Sequence, residues 1–102
     1  VEQFTKTLAL ELGGRGVRVN CVAPDMIPTP GDAGLAADSS AMSTEHHPTP
    51  LRRMGSTDEC AAVIAFLASD LASFVTGASI PVDGGTVAGA AWKVGLDGTF
   101  RM

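Results

Sequence analysis

The chain has 102 residues and a mass of 10.4 kDa, the size of one small domain. Hydrophobic residues make up 45% of it and charged residues 18%, which is a globular composition and excludes a disordered chain. The net charge of −4 speaks against a nucleic-acid binder, and no apolar run approaches the roughly 20 residues that cross a bilayer.

The first residues have the pattern of an amphipathic helix. Apolar side chains recur at spacings of three and four, at Val1, Phe4, Leu8 and Leu12. Gly13–Gly14 can supply the left-handed backbone that closes such a helix. Because no capping residue precedes the pattern, we expect the helix to begin upstream of this sequence in the intact protein.

A short β-branched run follows the helix. Residues 17–22 (VRVNCV) predict a strand that ends at Ala23–Pro24. Residues 25–50 are punctuated by proline and glycine, which indicates a long loop. Loops longer than about 12–15 residues in compact domains are usually functional or disordered.

A second helix is predicted from Thr57 onwards. Thr57 can cap it, and Asp58 and Glu59 suit the positive end of the helix dipole. Residues 60–68 are apolar on nearly all sides, so we expect another subunit or further chain to cover the side that this sequence leaves open.

A second strand is predicted at residues 78–83. Pro81 removes a hydrogen-bond donor, which favours an edge strand or a bulge. We interpret Asp83–Gly84–Gly85 as the turn after this strand, not as a carboxylate site. The order helix, strand, loop, helix, strand predicts an α/β fold with a parallel sheet.

The remaining residues with chemical potential do not form a catalytic or metal site. Cys21 and Cys60 lie in apolar context and are predicted to be buried free thiols, which favours a reducing, cytoplasmic compartment. The adjacent His46–His47 share no face and have no third ligand at a suitable spacing, so no metal site is predicted.

Several short motifs occur in the order, and nearly the spacing, of one known protein family. With them, residues 1–85 resemble the short-chain dehydrogenases/reductases. Each motif alone is weak, but the ordered set is specific. The motifs are Phe4–Lys6, Leu8–Leu12, Gly16–Asn20, Ala23–Pro24, Thr29, Pro50, Arg53, Thr57–Glu59, Ala61, Phe66–Asp70, Thr76–Gly77 and Val82–Gly85.

The resemblance implies the C-terminal part of a Rossmann-like, doubly wound parallel sheet. It consists of two helices, two strands and a long loop, and the N-terminal cofactor-binding half lies outside this sequence. Residues 1–85 belong to this part, and residues 31–48 match the family's substrate loop. Residues 86–102 form a tail in which Asp97–Gly98 suits a small hairpin.

For the intact protein, the resemblance implies NAD(P)-dependent transfer of hydride between nicotinamide and a carbonyl or secondary alcohol. The family's glycine-rich turn and catalytic Tyr-x-x-x-Lys do not occur here, and the sequence holds no tyrosine. No catalytic residue is therefore assigned, and we expect the chain alone to be inactive. Neither the choice between NAD and NADP nor the small-molecule substrate is fixed by these residues.

The resemblance assigns three cofactor-binding residues, which are Pro24, Ile27 and Thr29. In the family, backbone groups near Ile27 hold the carboxamide, and the threonine at Thr29 contacts the carboxamide or the phosphates. Pro24 and Pro28 stiffen the loop between them. Asp25 departs from the family, which usually has glycine there; its side chain either points outward or influences substrate choice.

The family also implies a homodimer or homotetramer. The net charge and the lack of a long apolar run predict neither a nucleic acid nor a membrane as partner. A different interpretation stays open. The chain would then be a non-catalytic α/β assembly module that docks on a partner through the apolar helix at 60–68 and the edge strand at 78–83.

Overall fold

Two parallel strands and the helix between them in sequence form the centre of the fold. The computed structural model describes residues 1–29, 46–89, 92–95 and 97–101. Single 3-10 turns lie at Gly13–Arg15 and Asp70–Ala72. The other elements, in chain order, are α1 (Glu2–Leu12), β1 (Cys21–Pro24), β2 (His46–His47), α2 (Thr57–Ala68), β3 (Ser79–Val82), α3 (Thr86–Gly89), β4 (Lys93–Gly95) and β5 (Phe100–Arg101).

The sheet at the centre is parallel, as the order of elements predicts. Strand β1 pairs with β3 so that Cys21 lies opposite Ser79 and Pro24 opposite Val82. Helix α2 contacts both strands. The predicted α/β architecture is therefore confirmed.

Helix α1 turns small side chains toward the rest of the described chain. Thr5 and Ala9 are buried, whereas Val1 is 93% and Phe4 67% exposed. Part of the apolar stripe read from the sequence therefore faces away from the described fold. The predicted left-handed ending at Gly13–Gly14 is wrong, because Gly13 has a φ of −58°. A 3-10 turn extends the helix, and the left-handed residue is Gly16, with a φ of 76°.

Strand β1 begins later than the β-branched run predicts. Residues 17–20 run beside residues 75–78, but side chains make most of the hydrogen bonds there. The Asn20 amide donates to the Val75 carbonyl (2.9 Å) and accepts from the Ala78 N–H (3.0 Å), and Thr76 Oγ1 accepts from the Val19 N–H (3.0 Å). These bonds replace the regular ladder. Pro24, predicted to follow the strand, belongs to it, because the next ladder bond runs from the Asp25 N–H.

Helix α2 is capped by Ser56, so the prediction that Thr57 is the cap is wrong. Ser56 Oγ accepts from the Glu59 N–H (3.2 Å), and Glu59 Oε1 accepts from the Ser56 N–H (3.0 Å). This capping box requires a serine or threonine three positions before a glutamate or glutamine, and Thr57 has Cys60 there. On this helix Leu67 is buried, while Ile64 and Phe66 are exposed.

The turn after β3 has the backbone that its glycines predict. Gly84 and Gly85 have φ values of 63° and 94°. Asp83 is buried, and its carboxylate accepts from the N–H groups of Gly85 and Val87, both at 2.9 Å. Within the described residues β3 pairs only with β1, which agrees with the edge position that Pro81 favours.

Two strands of the tail form a second, antiparallel sheet with β2. Strand β4 pairs with both β2 and β5, and Gly98 in the connection to β5 has a φ of 83°. Residues 30–45, which include most of the segment assigned as the substrate loop, lie outside the described residues.

Two further findings concern the cysteines and the membrane. Cys21 and Cys60 are free thiols but half-buried, not buried as predicted. In the described ranges, no helix has the length and the apolar character that crossing a membrane requires.

Candidate cofactor-binding site

A cleft of about 410 Å³ lies at the carboxyl ends of the two parallel strands. Open α/β sheets bind ligands at this end of their strands. Three segments supply its walls: the loop after β1, the loop before α2, and the end of β3 with the turn that follows. Its lining residues are Asp25, Ile27, Pro50, Leu51, Arg53, Gly55, Glu59 and residues 81–85.

The loop after β1 is held close to β3. The Asp25 N–H donates to the Val82 carbonyl (3.2 Å), which continues the ladder one residue beyond β1. Pro24 and Pro28 restrict the backbone on either side of the next residues. Met26 between them has a φ of 56°, an uncommon value for a residue other than glycine. The loop therefore has a defined path where it enters the cleft.

The wall before α2 is organised around a buried threonine. Thr49 is 1% exposed, and its hydroxyl donates to the Arg53 carbonyl (2.9 Å) and accepts from the Arg53 N–H (3.2 Å). The Leu51 N–H donates to the Gly84 carbonyl (3.1 Å). A Cβ on Gly85 would lie 2.9 Å from Pro50 Cγ, so glycine allows this wall to contact the turn after β3.

Ile27 lies between these walls and lines the cleft. Its side chain contacts Gly55 closely, since a Cβ on Gly55 would lie 3.0 Å from Ile27 Cγ1. Ile27 is half-buried. Among the described residues, no group hydrogen-bonds its N–H or its carbonyl. Within the described residues, Ile27 therefore keeps one amide donor and one carbonyl acceptor unpaired.

Three of the four charged groups that line the cleft are paired with one another or held by backbone N–H groups. Arg53 donates to both carboxylate oxygens of Glu59, at 2.8 and 2.7 Å. These bonds, together with the Ser56 N–H, lower the pKa of Glu59 to about 2, and the same carboxylate raises the pKa of Arg53. The Asp83 carboxylate is occupied by two backbone N–H groups. These three groups therefore hold the walls and are not arranged as a general acid or base.

The three residues assigned from the sequence lie at the end of β1 and on the loop that follows it. Pro24 is the last residue of β1 and is exposed, and Ile27 lines the cleft. Thr29 is exposed and is not among the lining residues. Neither Gly55 nor Thr49 is predicted from the sequence to contribute to the site. The proline and glycine around them signal a turn, but only the fold shows that this turn contacts Ile27 and Gly84.

Comparison with known proteins identifies relatives over most of the chain. The family model described as enoyl-(acyl carrier protein) reductase matches residues 1–87. Cyclohexanol dehydrogenase of Rhodococcus sp. (strain TK6) is 51% identical over 87 residues, which cover 83% of this chain and 31% of that protein. The 3-oxoacyl-[acyl-carrier-protein] reductase FabG of Thermotoga maritima is 51% identical over 84 residues, covering 82% and 33%.

Solved structures agree with these relatives. The crystal structure of an oxidoreductase of the short-chain dehydrogenase/reductase family from Burkholderia thailandensis superposes with a TM-score of 0.75 at 37% identity, covering 86% of this chain and 34% of that one. The chain thus spans about a third of the length of the relatives it matches. The family match over residues 1–87 and the shared fold show that the chain belongs to the short-chain dehydrogenase/reductase family.

Proposed function

We propose that this chain acts as the C-terminal part of an NAD(P)-dependent oxidoreductase and holds the nicotinamide end of the cofactor. In the whole protein, nicotinamide supplies the hydride chemistry, and a carbonyl or secondary alcohol is its small-molecule substrate. Family membership supports this reaction class. The relatives include a cyclohexanol dehydrogenase and the 3beta-hydroxysteroid dehydrogenase 1 of Eggerthella lenta, which differ widely in substrate. We therefore propose a reaction class without a single substrate, and with either NAD or NADP as the cofactor.

The proposal rests on the backbone donor and acceptor of Ile27, which are unpaired within the described part of the chain. A carboxamide has one N–H₂ donor and one carbonyl acceptor, so a single peptide segment that offers the opposite pair can bind both. Two such bonds fix which face of the ring is turned to the substrate, and orientation is a large part of what a protein adds to hydride transfer. In this proposal Pro24 sets the direction of the loop, and Thr29 contacts the carboxamide or the phosphates.

The proton-transfer groups are proposed to lie in the N-terminal part of the protein. The sequence has no tyrosine, and Glu59 and Asp83 in the cleft are both paired. The chain alone should therefore show no turnover. We also propose that the intact protein is cytoplasmic and forms a homodimer or homotetramer, with neither nucleic acid nor membrane as partner.

A second candidate function is the non-catalytic assembly module. Ile64 and Phe66 on α2 are 52% and 43% exposed, so this helix offers an apolar surface to a partner. The same surface fits the rest of a Rossmann domain equally well. Cofactor binding therefore separates the two candidates.

The test uses a hybrid protein, which we call the FabG hybrid. It joins the N-terminal part of the Thermotoga maritima reductase to residues 1–102 of this chain in place of the matching segment. We expect the FabG hybrid to bind NADH or NADPH, read by nicotinamide fluorescence, and to reduce a carbonyl substrate. The chain alone should do neither.

The matched variants address Ile27 itself. Ile27→Pro removes the N–H donor and should weaken cofactor affinity roughly fivefold to tenfold, the worth of about one hydrogen bond. Ile27→Val keeps the backbone donor and should bind normally. A folded hybrid that binds no cofactor would contradict the proposal and favour the assembly module, and so would saturable submillimolar NADH binding by the chain alone.

A further inference from the structure

Met26 adopts a backbone conformation that needs support. Its φ of 56° lies in the left-handed region, where a side chain crowds the backbone. The residue immediately precedes Ile27, so its conformation sets the direction in which the Ile27 N–H points. Whatever stabilises Met26 therefore also orients the proposed nicotinamide contact.

The amide of Met26 is held by the preceding side chain. Its N–H donates to Asp25 Oδ1 at 2.8 Å. Aspartate and asparagine are the residues whose short side chains commonly support such local backbone turns. The Asp25 side chain thus makes a specific bond inside the loop.

The carbonyl of Met26 is held from the opposite wall. It accepts the Gly55 N–H at 2.9 Å. Gly55 stands between Arg53 and the capping residue Ser56, and both of these donate to the Glu59 carboxylate, Arg53 at 2.8 and 2.7 Å and Ser56 at 3.0 Å. Arg53 also donates to the Met54 carbonyl at 3.2 Å. The segment from Arg53 to Ser56, which contains Gly55, is therefore held at both ends by hydrogen bonds to the Glu59 carboxylate.

We infer that Asp25 and the Arg53–Glu59 pair are positioning residues for the backbone of Met26. Asp25 binds the Met26 N–H, and the Arg53–Glu59 pair holds the segment whose Gly55 N–H binds the Met26 carbonyl. Together they fix the orientation of Ile27. The inference rests on the proposed function for what Ile27 holds. The positioning itself is a property of the chain and can be measured without a cofactor.

The first experiment measures hydrogen exchange of the Met26 and Gly55 amides in the full chain by mass spectrometry. Asp25→Ala should increase exchange at both amides about tenfold, because the Met26 backbone loses one of its two hydrogen bonds. Asp25→Asn keeps an Oδ1 acceptor and should restore protection. Asp58→Ala changes an exposed acid in the first turn of α2 and should leave both amides unchanged.

The second variant pair tests the opposite wall. Arg53→Met breaks both bonds to Glu59 and should increase exchange at Gly55, while residues 61–68 of α2 stay as protected as before. The neighbouring Arg52→Met is the control, since no described group hydrogen-bonds the Arg52 side chain. Unprotected Met26 and Gly55 amides in the unsubstituted chain, or equal exchange in Asp25→Ala and Asp25→Asn, would overturn the inference.

The functional readout uses the FabG hybrid and separates the two proposals. Asp25→Ala and Arg53→Met should raise KM for the cofactor about tenfold and lower kcat by a smaller factor, since they loosen a contact that both binds and orients the nicotinamide. Altered exchange with an unchanged KM would support the inference that these residues position Met26, but would refute the proposed contact between Ile27 and the cofactor. A fall in kcat at constant KM would contradict the inference, because it would point to the chemical step.

Discussion

At the scale of single residues, the walls of the cleft depend on glycines that no other residue can replace without strain. Gly85 combines a φ of 94° with a position from which a Cβ would lie 2.9 Å from Pro50 Cγ. We expect Gly85→Ala to lower the free energy of unfolding of the FabG hybrid by about 2 kcal/mol or more. Gly13→Ala is the matched control. Nothing lies within 4 Å of its Cβ position, its φ is −58°, and its effect should stay within about 1 kcal/mol. Equal midpoints of thermal unfolding for the two variants would refute the contact.

Glu59 gives the molecule a predictable sensitivity to acid. Its pKa is lowered from 4.5 to about 2, mainly by the hydrogen bonds from Arg53. Because the folded form binds the proton less readily than the unfolded form, this stabilisation is complete above pH 4.5 and is lost as the pH falls toward 2. The difference in thermal midpoint between the unsubstituted hybrid and Glu59→Gln should therefore shrink over that range. A constant difference for Glu59→Gln would count against the pairing.

At the scale of elements, local pattern predicts the type of each main element better than its ends. The apolar periodicity of residues 1–12 and the apolar run at 60–68 lie in α1 and α2, and Gly84–Gly85 form the predicted turn. The ends differ from the predicted ones because side-chain hydrogen bonds set them, and apolar periodicity carries no information about such bonds. Asn20 replaces part of the ladder before β1, and Ser56 makes a reciprocal pair with Glu59.

The candidate site shows the same division. The loop containing Pro24 and Ile27 could be singled out from its prolines and the family resemblance. Its contact with Gly55 could not, because these residues are distant in sequence and meet only once β1 and α2 are in place. Pairing across such separations is a property of the fold and has no local signature.

The capping box predicts that alanine substitutions at the adjacent residues Ser56 and Thr57 have different effects on stability. Ser56→Ala removes the acceptor for the Glu59 N–H and should destabilise the hybrid by about 1 kcal/mol. Thr57→Ala alters the first residue of the helix, where alanine is favourable, and should be neutral or slightly stabilising. Circular dichroism during thermal unfolding gives both values. A larger loss of stability for Thr57→Ala than for Ser56→Ala would show that Thr57 is the cap.

At the scale of the whole molecule, a few long-range bonds join the two halves of the described chain. The Arg18 guanidinium donates to the Leu67 carbonyl (2.8 Å) and the Ser69 carbonyl (3.2 Å), at the end of α2. The Asn20 amide bridges Val75 and Ala78 just before β3. These bonds fix the approach of α2 to β1, yet an open cleft lined by Val22, Ile64 and Leu67 remains between them. We propose that the N-terminal part of the protein packs against this opening.

Ile64 should consequently behave in opposite ways in two contexts. In the chain alone it is 52% exposed, so Ile64→Ser should reduce binding of a dye that detects apolar surface and cost little stability. In the FabG hybrid, the added N-terminal part should bury Ile64. The same substitution should then cost about 2 kcal/mol, because it leaves a polar group and a cavity in a core. Ala65→Ser, on an exposed small residue of the same helix, should have little effect in either protein. An equal, small effect of Ile64→Ser in both proteins would show that the hybrid leaves this face uncovered, and would favour the assembly-module interpretation of α2.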